Sequence, residues 1–225
     1  GAVRAFPRPL SLVLWVARWC GSSARAFSAL ARFALEAPGL ELRVVDVESV
    51  PAGEVPRGIE SVPVLFVGGT GRFYGDAPEP ELARGIAELA SERRDRFMAG
   101  QMLDRRLRSE LLALLRAGEI SPRTLAAEVG SESFSRRAAA VLSLSDLALA
   151  DRLLAAEALP VLEGLLADLS AQVRGDAVFA LAEVGDLRAV TAVQKLCSDP
   201  DPDVREGAEE AIEKIKKRAV WGWRA

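Results

Sequence analysis

The sequence predicts an α/β domain over residues 1–97, followed by an all-α solenoid of repeated helix pairs over 98–225. Three observations lead there. Apolar runs of strand length alternate with helical spacings in the first part, and no strand-like run occurs after Ala99. Near the end, apolar positions recur every 31 residues at the spacing of stacked helix pairs. At 225 residues, 50% of them hydrophobic, the chain is long enough to bury two cores.

In order, Leu12 to Ala17 reads as a buried strand, uncharged except at its flanks and bounded by Pro7, Pro9 and Gly21. From Ala24 the spacing turns helical, with Phe27, Leu30, Ala31 and Leu35 on one stripe and Pro38-Gly39 as the stop. Leu40 to Val47 is a second strand, its Val44-Val45 pair breaking alternation as in a strand covered on both faces. Strand, helix, strand implies a parallel βαβ unit. Pro51 to Gly58 forms a turn or short helix, and Val64 to Val67 a third strand. Gly68-Gly69-Thr70-Gly71 then signals a hairpin into Arg72-Phe73-Tyr74. A helix follows from Glu79 to about Phe97, burying Leu82, Ile86, Leu89 and Ala90. Cys20 lies at the first strand–helix junction, where free backbone N–H groups and the helix dipole favour an anion and lower a thiol pKa.

Composition excludes several chemistries. Histidine is absent, which removes Ser-His-Asp and Cys-His catalysis and most zinc sites, so no metal or cofactor is expected. Two cysteines, Cys20 and Cys197, are too few for a disulfide-stapled secreted domain. Net charge is −3 and neither half is basic, which argues against nucleic-acid binding. No run reaches the length of a membrane span and no signal-peptide core is evident, so a cytoplasmic location is expected. A start at Gly1 suggests a tag remnant or a trimmed native start.

Trp19-Cys20-Gly21-Ser22-Ser23 resembles the active-site turn of the thioredoxin family, whose signature is Trp-Cys-Gly-Pro-Cys between a strand and a helix. Ser22 stands in place of the proline and Ser23 in place of the second, resolving cysteine. The predicted order β-α-β-(α)-β-β-α is that family's order. Ser61-Val62-Pro63 resembles its loop before the third strand, where the X-Pro bond is cis and faces the thiol. The resemblance implies that Cys20 is the nucleophile, that Trp19 and Gly21 shape its access, and that Val62 and Pro63 align an extended peptide. Two departures stand out: Ser23 cannot resolve a mixed disulfide, and Leu14 occupies the position of a buried acidic residue. They fit a natural one-cysteine variant, a scaffold that has lost turnover, or an engineered serine that traps a partner.

The second half reads as helices throughout. Met102, Leu107, Leu111, Leu112 and Leu115 line one helix ending at Gly118. Ser121-Pro122 opens a short one closing near Gly130, and Phe134 to Leu142 gives another. Ala158, Leu159, Leu162, Leu165 and Asp168 recur as Ala189, Val190, Val193, Leu196 and Asp199. Val173-Arg174, Ala177, Leu181 and Val184 recur as Val204-Arg205, Ala208, Ile212 and Ile215. Asp168 to Arg174 and Asp199 to Arg205 share one spacing, which suggests an arginine at each helix start bonding the preceding loop. The motif resembles HEAT repeats of the short kind found in phycobilin lyases, clear over 158–216 and degraded over 99–157. Cys197 is expected to be a packed, inert thiol on the Val190, Val193, Leu196 face. Lys214, Lys216, Lys217 and Arg218 form a cationic helix end suited to the dipole, and Trp221 and Trp223 either cover the solenoid's end or dock a partner.

The leading functional expectation is a thioredoxin-like domain acting on protein thiols or disulfides, with the solenoid selecting the client. The rival is a non-enzymatic adaptor made of two protein-binding modules. A monothiol glutaredoxin fits less well, since that family's Cys-Gly-Phe-Ser has phenylalanine at the position of Ser22. A phycobilin lyase is supported by the generic repeat alone.

Overall fold

The computed structural model describes residues 9–37 and 39–221, and the chain divides into two compact units between Met102 and Leu103. Trp223 and Pro38 lie outside the described residues, and Trp221 closes the last helix. No helix among the described residues is long and apolar enough to cross a membrane.

The first unit runs β1 (Leu10–Val16), α1 (Gly21–Glu36), β2 (Leu40–Asp46), β3 (Val64–Val67), β4 (Gly71–Tyr74) and α2 (Glu79–Leu89). Short 3-10 turns at Val47–Ser49 and Ala52–Glu54 link β2 to β3. The sheet order is β2-β1-β3-β4. β1 and β2 are parallel, with Leu12 opposite Leu42, whereas β3 runs antiparallel to β1 and to β4. β1 and β3 occupy the centre because their residues are the apolar ones: Leu12, Leu14, Trp15 and all of Val64–Val67 are buried. β2 lies at an edge, and Val44 is 42% exposed, so the expectation that it is covered on both faces is corrected. The opposite edge is protected by a side chain of α3 (Arg94–Asp104). There Gln101 accepts from the Tyr74 amide (3.0 Å) and donates to the Arg72 carbonyl, standing in for a fifth strand at β4.

Two helix readings change. α1 buries Ala26, Ala29, Leu30 and Phe33 together with Ser23, while the predicted stripe members Phe27 and Leu35 are exposed. The buried stripe runs through Ser23, Ala26, Leu30, Phe33 and Ala37 at helical spacing, and Phe27 and Leu35 stand one and two positions off it. The helix predicted from Glu79 to Phe97 breaks after Leu89, and Ala90 is exposed. The Ser91 hydroxyl accepts from the Arg93 amide (3.1 Å) and donates to the Glu88 carbonyl, a local alternative to continuing the helix.

The second unit continues with α4 (Arg108–Arg116), α5 (Pro122–Ala127), α6 (Phe134–Ala150), α7 (Arg152–Ala155), α8 (Leu159–Leu165), α9 (Ala171–Val184), α10 (Ala189–Gln194) and α11 (Pro202–Trp221). The single helix expected from Met102 to Leu115 is two, α3 and α4. Arg106 between them takes a left-handed φ of 59°, which no right-handed helix continues. Ser121 caps α5 through the Arg123 amide, as its sequence suggests. α6 runs past Leu142 to Ala150, because Leu144, Leu147 and Ala148 continue its buried stripe, and Ser143 satisfies its hydroxyl within the helix on the Ala139 carbonyl (2.8 Å).

α6, α9 and α11 share one register, set by three arginines. Arg174 Nη1 donates to the carbonyls of Asp168 (2.9 Å) and Leu169 (3.2 Å). Arg205 Nη1 does the same to Asp199 (2.7 Å) and Pro200 (3.1 Å), and Arg137 Nη1 to Ser131 (3.0 Å) and Glu132 (3.2 Å). From each arginine the same offsets are buried: Ala140, Ala177 and Ala208; Leu144, Leu181 and Ile212; Leu147, Val184 and Ile215. The third unit, headed by Arg137, is the one the sequence concealed. It stands 37 residues before Arg174, against 31 from Arg174 to Arg205, and the extra residues lie between α6 and α8, where α7 sits.

Candidate functional site

In the first unit the predicted residues converge at the junction of β1 and α1. Cys20 is the N-cap residue of α1, in extended backbone (φ −93°, ψ 111°), half-buried and free of any disulfide. Its thiol donates to the Val62 carbonyl across 3.5 Å, and the Val62–Pro63 peptide is cis. Pro63 is buried and Val62 half-buried. Cys20, Val62 and Pro63 therefore meet, brought together from opposite sides of the chain by the pairing of β1 with β3.

Ser23 is 3% exposed. Its Oγ accepts from the Ala17 amide (3.3 Å), which leaves its own proton free to serve the sulfur. The Ser23 hydroxyl is the largest influence holding the Cys20 thiol below its ordinary pKa, followed by the Ser23 amide; burial opposes them, and the Ser22 amide and Arg25 add to the lowering. All but Arg25 are groups of the first helical turn, whose free N–H donors favour an anion.

The remaining predicted residues are arranged around this centre. Trp19 is 75% exposed, and its indole N–H donates to Glu48 Oε1 (3.1 Å), which steadies the ring beside the thiol. Gly21 opens α1, and a Cβ there would meet nothing closer than the end of the Arg25 side chain at 3.7 Å. Ser22 Oγ accepts from Arg25 Nη2 (3.0 Å), and Arg25 is anchored in turn by Asp76 at 2.5 Å. Asp76 is held below the usual carboxylate range by that hydrogen bond. Arg25 and Asp76 carried no signal in the sequence beyond ordinary surface charge. Leu14, at the position where the resemblance calls for an acid, is a core residue of β1 at 1% exposure.

In the second unit Cys197 is half-buried in a 3-10 turn (Lys195–Ser198), a correction to the packed thiol expected, although Val193 and Leu196 are buried. Three residues per turn instead of 3.6 shift it off the apolar stripe. The cationic end of α11 serves a neighbour: Arg218 donates to the Glu183 (3.0 Å) and Gly185 (2.7 Å) carbonyls at the end of α9, and Lys214 pairs with Glu183. Arg174 forks onto Asp199 with two bonds of 2.7 Å, which holds that carboxyl below its usual range. No group of three potential metal ligands comes together among the described residues.

A family model for HEAT repeats matches residues 158–220. None of the curated proteins matches the chain. HEAT repeats are in general protein-interaction modules, and the match over α8 to α11 is consistent with protein partners.

Proposed function

We propose that the first unit is a thioredoxin-like domain whose single reactive thiol, Cys20, forms mixed disulfides with protein partners that the helical repeats select. The observation that carries this reading is the Cys20 sulfur capping α1 at 3.5 Å from the Val62 carbonyl, with its pKa lowered by Ser23. The strand order β2-β1-β3-β4, with only β1 and β2 parallel, also supports it. In the reaction, the Cys20 thiolate attacks one sulfur of a partner disulfide. A new S–S bond forms to Cys20, the partner's S–S bond breaks, and its other sulfur leaves as a thiolate that takes a proton from water. Ser23 holds the position from which a second thiol would displace the partner. Release therefore falls to an external thiol, and the mixed disulfide is long-lived without one. Trp19, Gly21 and Ser22 border the approach; Val62 and Pro63 flank the sulfur where an extended peptide would lie.

The test offers a disulfide-containing peptide to the Cys197→Ser protein and follows it by intact mass. The expected product is one covalent peptide adduct on Cys20, stable until a small thiol is added. Absence of an adduct, or an adduct equally abundant after Cys20→Ala, contradicts the reading. The adaptor reading is favoured by the buried Leu14 and by Ser23, and absence of an adduct would leave it standing.

A further inference from the structure

The shared register of α6, α9 and α11 leaves one side of these helices facing solvent, and its composition changes from helix to helix. Five residues beyond the register arginines stand Leu142, Phe179 and Glu210, all exposed, the first two at 49% and 55%. One residue beyond them stand Ala138, Gly175 and Glu206. α9 packs against α6 on one flank and α11 on the other, so these residues form continuous rows. A cavity of about 420 Å³ extends the same side at the helix starts, where Phe134 is 71% exposed beside Gly175 and Val204. Large apolar side chains aligned on one face of a repeat are not needed for stacking, which the alanine and leucine rows already supply, and Phe179 stays 55% exposed although Lys214 Nζ stands 5.7 Å from its ring centroid.

The charges divide unevenly. Across α6 and α9 they are paired: Asp146 with Arg108, Asp176 with Arg137, and Glu183 with Lys214. On α11, Lys214 is taken up by Glu183 and Lys217 by Glu213, whereas Asp203, Glu206, Glu209 and Glu210 have no ion-pair partner among the described residues. Asp203 lies in the first turn, where the helix dipole accounts for it. Glu206 and Glu210 lie beyond that turn and have no such account.

We infer that this face docks a lysine- or arginine-rich segment of a protein partner, which sets an apolar side chain against Leu142 and Phe179 and its cations against Glu206 and Glu210. Charge complementarity selects the occupant. The apolar row is on one pair of helices and the unpaired carboxylates are on the next, so an acidic or purely apolar segment would leave Glu206 and Glu210 opposed or desolvated. The inference deepens the reading of the repeats as the partner-selecting surface. It does not depend on Cys20, and a probe without sulfur keeps the two apart.

The probe is a fluorescein-labelled oligolysine peptide with one central leucine, titrated with the full chain at low salt and followed by anisotropy. Binding is expected, weakened about tenfold or more by the Glu206→Lys, Glu210→Lys pair and by Phe179→Ser. The Glu157→Lys, Glu163→Lys pair makes the same charge change on exposed positions outside α6, α9 and α11, and its expected effect is less than about twofold. Circular dichroism of each variant verifies the fold. Three results overturn the inference: equal losses from both lysine pairs, equal binding of an oligoglutamate peptide, or no binding at all. So does a dimer of the unmodified chain that Phe179→Ser dissociates in sedimentation, since the face would then be filled by a second copy.

Discussion

The two units place their candidate functional residues by opposite means. In the first, nothing repeats, and one atom matters: the Cys20 sulfur occupies its place only because a strand, a helix start and the Val62–Pro63 loop meet there. In the second, the same arginine contact appears three times, and the surface between copies varies from leucine to phenylalanine to glutamate. The contrast shows what each architecture leaves free to vary. A convergent site tolerates little change around its centre, whereas a repeat fixes its buried offsets and leaves the exposed ones open.

Breaking the repeated side should cost most. Leu181, fully buried at a repeated offset, is expected to lose about 2–5 kcal/mol on change to alanine, read as a lower urea midpoint by circular dichroism. A loss below about 1 kcal/mol would mean that the three-fold register is not what holds these helices. The first unit is probed at its sheet edge. Gln101→Ala removes a donor and an acceptor from β4, with an expected cost of about 1–3 kcal/mol and faster amide exchange at Tyr74. Unchanged exchange there would show that the edge is not protected by this side chain.

The smallest effect concerns pH. A thiol whose folded pKa lies below its unfolded one contributes stability that is present above the unfolded value and is lost as pH falls through the folded value. The gap in stability between the native chain and Cys20→Ala should therefore widen in favour of the native chain as pH rises across that interval. A flat difference would place the thiol outside any anion-favouring environment.

Legibility followed the same contrast. The succession of strands and helices along the chain, the hairpin and the junction at Cys20 were readable because short apolar runs and glycine turns are local signals. The second repeat was readable because 31-residue spacing is regular. The unit headed by Arg137 escaped, since α7 stretches its spacing to 37 and hides the alignment of Ala140 with Ala177. The buried face of α1 was misread because Phe27 and Leu35 outweigh Ala26 and Ala29 in hydrophobicity, while the buried stripe runs through the alanines. The role of Ser23 had no sequence signal of its own. A serine at that position reads as a missing cysteine, and only the Ala17 contact shows which way its hydroxyl is used.

The most direct test is the alkylation rate of Cys20 as a function of pH in the Cys197→Ser protein, with and without Ser23→Ala. The account predicts a midpoint below that of free cysteine, about 8.5, moving upward when the Ser23 hydroxyl is removed. A midpoint at or above the free value, unmoved by Ser23→Ala, would contradict it.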